Sequence, residues 1–341
     1  MTGRKLTIYF SFTLVTVCST FCLNAQTSDT SQIVCSVGDE YCSPRLNNLP
    51  RPKGIEVYYR TAFPSTIESA QENHNYSGRL VNMRSWSIRA KFPIINHPHL
   101  IITGGFSFMD TEYRFENSAQ LNQPFYQSLE EKNLRSLGSR FYIVKPFKNH
   151  HYLLSRISVK LNGDFKDGRL RNHLRYSSSI MYGTKVSESK LWVFGAAFGY
   201  NFGRISIYPV FIYKKNFSKR AGIEITLPVS VAYRYQIGDK NIFYVDNRLE
   251  GNNYNINVNF SDEGLFLEKV FFSSSLIYER EIHDYLWFSV SGGLRTNLRF
   301  NVSTSDQFFN RTNELIANKL SPAPFIKMGI FIVPPKKWLS K

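Results

Sequence analysis

Between Gly54 and Val333 large apolar residues recur at every second position, in runs that reach 10 to 15 residues. Side chains alternate across a strand, so such a run has one greasy face and one polar or small face. In Trp192 to Phe202 the even positions are Trp192, Phe194, Ala196, Phe198, Tyr200 and Phe202. The odd ones are Val193, Gly195, Ala197, Gly199 and Asn201. Leu153, Ile157, Val159 and Leu161 oppose Arg156, Ser158, Lys160 and Asn162. Leu286, Phe288, Val290, Leu294 and Leu298 oppose Ser289, Ser291, Arg295, Asn297 and Arg299. From Ile223 to Ile237 the odd positions are apolar or aromatic without a break. Strands of soluble sheets are most often about 5–6 residues long. A strand that crosses a bilayer at a tilt needs roughly 9–11.

A helical membrane protein is excluded for the body of the chain. Its longest apolar stretches, such as Leu191 to Tyr200, stop at about half of the roughly 20 residues a spanning helix needs. A closed barrel is the other structure that satisfies every backbone group in lipid. Composition agrees: the chain has 20 Tyr and 28 Phe, with aromatics at 15%. Mean hydropathy is only −0.27. An aromatic-rich but mildly polar chain suits a lipid-facing wall around a polar lumen. The fold expected is therefore all-β: a single antiparallel transmembrane β-barrel of 12 to 14 strands, with long outer loops and short periplasmic turns.

The first 25 residues read as an export signal. Arg4 and Lys5 precede the apolar run Leu6 to Val17, and Ala25 offers a small residue for cleavage before Gln26. Residues 26–53 have no period and read as an irregular segment, a plug or a tether. Residues 54–333 form the barrel, and 334–341 a short basic tail. Cys35 and Cys42 are the cysteines left after cleavage, and in an oxidising compartment they are disulfide candidates.

Thirteen segments carry the strand pattern: 55–62, 84–92, 99–109, 134–145, 152–164, 173–184, 189–201, 204–213, 221–237, 241–250, 267–281, 284–299 and 322–333. The connections 63–83, 110–133, 251–266 and 300–321 are long. The connections 93–98, 146–151, 185–188, 238–240 and 282–283 are short. Bacterial barrels have an even number of strands, so one strand is missed or one split is false. The alternation of long and short slips between 201 and 222. Tyr58, Tyr59, Trp86, Tyr142, Tyr182, Trp192, Tyr213, Tyr278, Tyr285 and Trp287 fall near strand ends, where interfacial rings belong.

Catalytic motifs are absent from the sequence. There is no Gly-x-Ser-x-Gly, no phosphate loop and no His-Glu-x-x-His. His173 with Ser177 or Ser179 is the one pairing a hydrolase could use. No cofactor and no metal is expected, and the chain is expected not to be an enzyme. The polar strand faces carry the charge: Glu56, Arg60, Arg89, Lys91, Arg140, Arg156, Lys160, Arg175, Arg234, Asp246, Arg248, Arg295 and Arg299. With the apolar face in lipid, these line the lumen. A lumen lined by one sign concentrates counter-ions, so a channel for a small anionic solute is one reading. A closed, non-conducting barrel whose arginines pair with Glu56, Glu224 and Asp246 is the other, serving structure, adhesion or assembly. The net charge of +16 is spread along the chain rather than gathered in a tract. Outer-membrane lipid, lipopolysaccharide and the barrel assembly machinery are the expected partners, and nucleic acid is not.

The stretch Phe198-Gly199-Tyr200-Asn201-Phe202-Gly203-Arg204, then Tyr208-Pro209-Val210, Gly222 to Pro228 and Tyr233-Arg234-Tyr235, together with the leader ending Leu-Asn-Ala-Gln, resembles an uncharacterised family of Bacteroidetes-type outer-membrane β-barrel proteins. The resemblance implies a fold and a location in the outer membrane of a Gram-negative bacterium, and no activity. The chain departs from many such barrels by ending on Lys341 rather than on an aromatic residue.

Overall fold

A computed structural model describes residues 45–71, 74–116, 124–165, 170–257, 264–304 and 314–335. Cys35 and Cys42, the export signal and most of the basic tail lie outside the described residues. In chain order the elements begin with β1 (Ile55–Ala62), β2 (Ser65–Gln71), β3 (His74–His97) and β4 (Leu100–Glu116). Helix α1 (Pro124–Glu131), β5 (Leu134–Pro146), β6 (His151–Gly163) and the short helix α2 (Leu170–His173) follow. Then come β7 (Leu174–Ser187), β8 (Lys190–Tyr200), β9 (Ile205–Asn216), β10 (Ala221–Leu227) and β11 (Ser230–Ile237). The last are β12 (Asn241–Ile256), β13 (Leu265–His283), β14 (Leu286–Ser303), β15 (Glu314–Leu320) and β16 (Ala323–Ile332).

Every neighbouring pair is antiparallel, and β1 pairs with both β3 and β16, which closes the sheet. The barrel has 14 staves, because β1 with β2 and β15 with β16 each make one broken stave. The breaks fall at Phe63-Pro64 and Ser321-Pro322. Proline has no N–H to give to the ladder, so the strands part there. Among the described residues three bonds hold the seam: Phe63 N to the Pro324 carbonyl at 2.9 Å, Ser321 N to the Thr66 carbonyl at 3.0 Å and Thr66 N to Ser321 Oγ at 2.9 Å.

Thirteen segments become fourteen staves because 221–237 is two strands. Thr226 pairs with Ser230 across a tight turn, closed by Val229 N to the Thr226 carbonyl at 2.7 Å. An odd number of residues separates Thr226 from Ser230, so the parity of the apolar positions passes through the turn unchanged. That is why the alternation looked unbroken. At Asn201 to Arg204 the parity does switch, because Tyr200 pairs with Ile205.

The stretches read as long loops also need correction. Much of 63–83, 251–266 and 300–321 is strand, and 110–133 contributes the end of β4 and α1. Strand β3 runs 24 residues, β13 runs 19 and β14 runs 18, while β10 and β11 have 7 and 8. The wall is therefore tall on the side of β2–β4 and β12–β15 and low on the side of β8–β11. Above the membrane a strand need not be greasy outside, so hydropathy alone cannot follow it there.

The large apolar residues point outward. Ile180, Ile207 and Leu276 are 65%, 66% and 68% exposed, and Trp86, Ile157, Phe194, Phe211, Tyr233, Phe243 and Ile330 share the same belt. Soluble surfaces rarely expose contiguous apolar patches beyond a few hundred Å². A belt all the way round a closed barrel is the solution for hydrocarbon. Among the aromatic residues expected as girdle, Trp86, Tyr182, Trp192, Tyr213 and Tyr278 follow the outward parity. Tyr58, Tyr142 and Trp287 follow the inward parity instead, and Tyr58 and Trp287 are buried.

Candidate functional site

The register brings the polar faces of all staves into one lumen. Glu56 lies opposite Arg89, Arg60 opposite Ser85 and Lys327, and Tyr142 opposite Arg156. Gly138 lies opposite Lys160, Lys160 opposite Arg175, and Ser273 opposite both Arg248 and Arg295. Directly opposed residues share a face. The inward set therefore contains Arg60, Arg89, Arg140, Arg156, Lys160, Arg175, Arg234, Asp246, Arg248 and Arg295. It also contains Glu250, Lys269 and Lys327, which lie within the expected segments 241–250, 267–281 and 322–333 but were not among the expected lumen charges. Arg299 is placed differently. A bulge at Val270/Phe271 pairs Lys269 with Phe300 and Val270 with Arg299, so Arg299 turns to the other face and meets Glu268 at 3.5 Å.

Carboxylates neutralise only part of this charge. Arg248 makes a forked pair with Asp246, both contacts at 3.1 Å, and Arg60 reaches Glu250 at 3.2 Å. Lys214 meets Glu224 at 2.7 Å, and Lys91 approaches Glu56 at 3.9 Å. Among the described residues no carboxylate lies within 4.0 Å of Arg89, Arg140, Arg156, Lys160, Lys269, Arg295 or Lys327. Some of these rest on rings instead. Arg295 stacks 3.5 Å over Phe271, Lys327 sits 3.8 Å over Tyr58, and Lys269 donates to the Tyr113 hydroxyl. Arg234 gives Nη2 to Asn216 Oδ1 at 2.8 Å. Arg175 gives Nε to Asn253 Oδ1 at 2.8 Å. Arg89 points inward yet stays exposed, so the lumen is hollow beside it.

Both ends of this chamber are covered. At the end that carries the first and last described residues, residues 45–53 run across the bore. Leu46, 2% exposed, packs with Tyr152, Met181, Leu191, Val193 and Val210 from β6–β9. Asn47 N donates to the Glu188 carbonyl at 3.0 Å. On the far wall, Arg51 pairs with Glu281 and Asp284, both at 3.2 Å, and donates to the Pro334 carbonyl at 2.8 Å. Lys53 meets Glu279 at 2.5 Å. Burial alone would lower the Lys53 pKa, but Glu279 and Tyr58 outweigh it and hold the ammonium above the ordinary lysine value.

At the opposite end, the tall wall folds across the bore to β6 and the β8–β9 turn. The last residues of β12 reach β6, where Asn255 bridges to Gly163. Asn162 Nδ2 donates to the Asn253 carbonyl at 3.0 Å, Asn253 Nδ2 to the Gly203 carbonyl at 2.9 Å, and Asn257 Nδ2 to Asp164 Oδ1 at 3.0 Å. Beside β12 and β13, Phe125 and Leu129 of α1 stand four apart on one helix face. They bury against Leu134, Tyr254, Ile256, Leu265, Leu267, Phe300 and Val302. The Tyr126 hydroxyl bonds Ser69 Oγ at 2.8 Å and Asn318 Oδ1 at 2.6 Å.

His173 is buried at the end of α2, with its ring 4.9 Å from Phe165 and Nδ1 3.4 Å from the Asn162 carbonyl. The register places Ser177 and Ser179 on the inward face of β7. No group of three or more His, Cys, Asp or Glu residues suited to a metal occurs among the described residues.

The profile of a family described as a domain of unknown function (DUF6268) matches residues 71–332. A comparison with curated proteins finds no match. Among solved structures, an outer membrane channel from Pseudomonas putida F1 is similar at 10% identity, with 87% of this chain and 99% of that one covered and a TM-score of 0.41. The P. putida toluene transporter TodX is similar at 9% identity, with 83% and 90% covered and a TM-score of 0.32. The translocator domain of the autotransporter NalP from Neisseria meningitidis is similar at 8% identity, with 82% and 88% covered and a TM-score of 0.30. At such low identity nothing about cargo transfers from any of them.

Proposed function

The chain belongs to the DUF6268 family, and we propose that it is a non-enzymatic outer-membrane barrel whose basic lumen admits and conducts small anions. The observation that carries this is the surplus of inward cations without carboxylate partners. A purely structural network would neutralise itself, because an unpaired charge away from water is costly. A cationic chamber between low-dielectric walls instead raises the local concentration of anions. The outward apolar belt supports a membrane setting, and the apolar leader with Ala25 before Gln26 supports export across an inner membrane. The finer assignments rest on sequence alone: a Gram-negative host of Bacteroidetes type, insertion by the barrel assembly machinery and contact with lipopolysaccharide.

The test is a planar bilayer holding the purified full chain under a salt gradient. Anion-selective current, increased when Arg51→Ala and Lys53→Ala loosen the segment across the bore, is the expected result. A silent bilayer with both the wild type and that variant would favour a second reading, a non-conducting structural or adhesion barrel. The specific observation behind that reading is the side-chain packing over both ends.

A further inference from the structure

Four of the seven inward cations without a carboxylate partner, Arg89, Arg140, Arg156 and Lys160, stand within the adjacent strands β3–β6. Across these strands Arg89, Ser107, Gly138 and Lys160 are successive partners in one row, and Gly105, Arg140 and Ser158 in the next. The residues interleaved with these cations are small. Gly105 lies opposite Arg140, Ser107 opposite Arg89, Gly138 opposite Lys160 and Ser158 opposite Arg140. Gly138 has a definite steric role: a Cβ there would stand 2.8 Å from Lys160 Cγ and 3.2 Å from Ser107 Oγ. The missing side chain lets the lysine stem lie back against the wall, which leaves a floor of small residues ringed by four cations.

The donors on this floor are not used up. Arg140 gives Nη1 to the Tyr142 hydroxyl at 3.2 Å, and Arg156 gives Nη2 to Asn201 Oδ1 at 3.4 Å. The Nε atoms of both arginines are buried and have no hydrogen-bond partner among the described residues. A guanidinium carries five N–H donors in a planar fork that matches the oxygens of phosphate or carboxylate. Arg89, still exposed inside the lumen, stands beside open space. A single halide ion would neutralise one charge and leave the forks unfilled.

We propose that Arg89, Arg140, Arg156 and Lys160, over the floor of Gly105, Ser107, Gly138 and Ser158, form a binding site for a multiply charged oxyanion of the phosphate type. This rests on the reading of the lumen as an anion compartment and specifies what that compartment takes. Two or more negative charges match the four cations, and tetrahedral or forked oxygens match the guanidinium planes.

The experiment is a calorimetric titration of the full chain in detergent micelles with pyrophosphate, against sodium chloride at equal ionic strength. Saturable pyrophosphate binding without a chloride counterpart is expected. The double variant Arg140→Gln with Lys160→Gln should weaken it at least tenfold, and Arg89→Gln alone by a few fold. Arg220→Gln, in the turn between β9 and β10, should leave it unchanged. Heat-modifiable gel mobility shows that each variant still forms a closed barrel. Pyrophosphate heats no larger than those of chloride, or a double variant that binds like the wild type, would overturn the site. A barrel that conducts anions but ignores pyrophosphate loses this site and keeps its conduit. One that binds pyrophosphate through these residues but never conducts keeps the site and loses the conduit.

Discussion

At the terminal end the bore is crossed by residues 45–53, an irregular segment held by a few anchors: Leu46 in an apolar niche, and Arg51 and Lys53 on carboxylates of β13 and its turn. At the opposite end the cover is part of the wall itself. There β12 and β13 continue past the membrane belt, fold across the mouth and bury α1 in an apolar cluster. The first closure depends on charges that salt and substitution can weaken. The second depends on packing, which has to be dismantled residue by residue. The contrast teaches that the terminal end is the place where this barrel can open with its stave pairing kept.

Four measurements sharpen or break that contrast. Phe125→Ala empties a site in the packed cover and should cost about 3–5 kcal/mol of its local stability. It should appear as faster hydrogen exchange in α1, with barrel formation unchanged. If α1 exchanges no faster than in the wild type, the cover is not one packed unit. Gly163→Ala comes next. A Cβ there would fall 2.1 Å from His173 Nδ1 and 2.5 Å from the Asn255 carbonyl. The overpacking should cost about 1–3 kcal/mol and separate the end of β12 from β6, read as loss of protection at Asn255.

Releasing the other end should cost less. Arg51→Ala with Lys53→Ala removes hydrogen-bonded charge pairs worth roughly 1–3 kcal/mol together, and the wild-type attachment should weaken in high salt where the packed cover does not. Lys53 is held above its usual pKa. Its contribution is therefore complete below the ordinary lysine value of 10.5 and is lost only as pH rises through the higher folded value. A probe on residues 45–53 that detaches well below that range would contradict the pairing with Glu279.

Tyr126→Phe should have the smallest effect, about 1 kcal/mol. Burial pushes the Tyr126 hydroxyl up from 10.0 to about 12, against the lowering by its bonds to Ser69 and Asn318. The neutral phenol stabilises the cover fully below pH 10.0, and that part is lost as pH rises towards about 12. The phenylalanine variant should lack this dependence. Equal alkaline sensitivity in both proteins would place its origin elsewhere.

Much of the barrel was legible because lipid imposes a one-dimensional rule. Each residue of a spanning strand faces either hydrocarbon or lumen, so Leu153, Ile157, Val159 and Leu161 declare one side and Arg156, Ser158 and Lys160 the other. The rule fails where its premises fail. The three-residue turn after Thr226 preserved parity and hid a strand boundary. The bulge at Val270/Phe271 broke parity and moved Arg299 off the lumen face. Lys269 and Tyr254 lie on wall that rises beyond the membrane, where outward residues need not be greasy.

The sequence by itself determined which side of each strand meets hydrocarbon, and with it that the basic residues share an enclosed interior, because alternation is a local property of extended backbone. Which cations find carboxylates, which gather over the glycine and serine floor, and how each mouth is covered were decided only by tertiary structure. Those facts depend on stave number, register and the folding of one wall over another, which couple residues as far apart as Arg60 and Glu250 or Arg51 and Glu281.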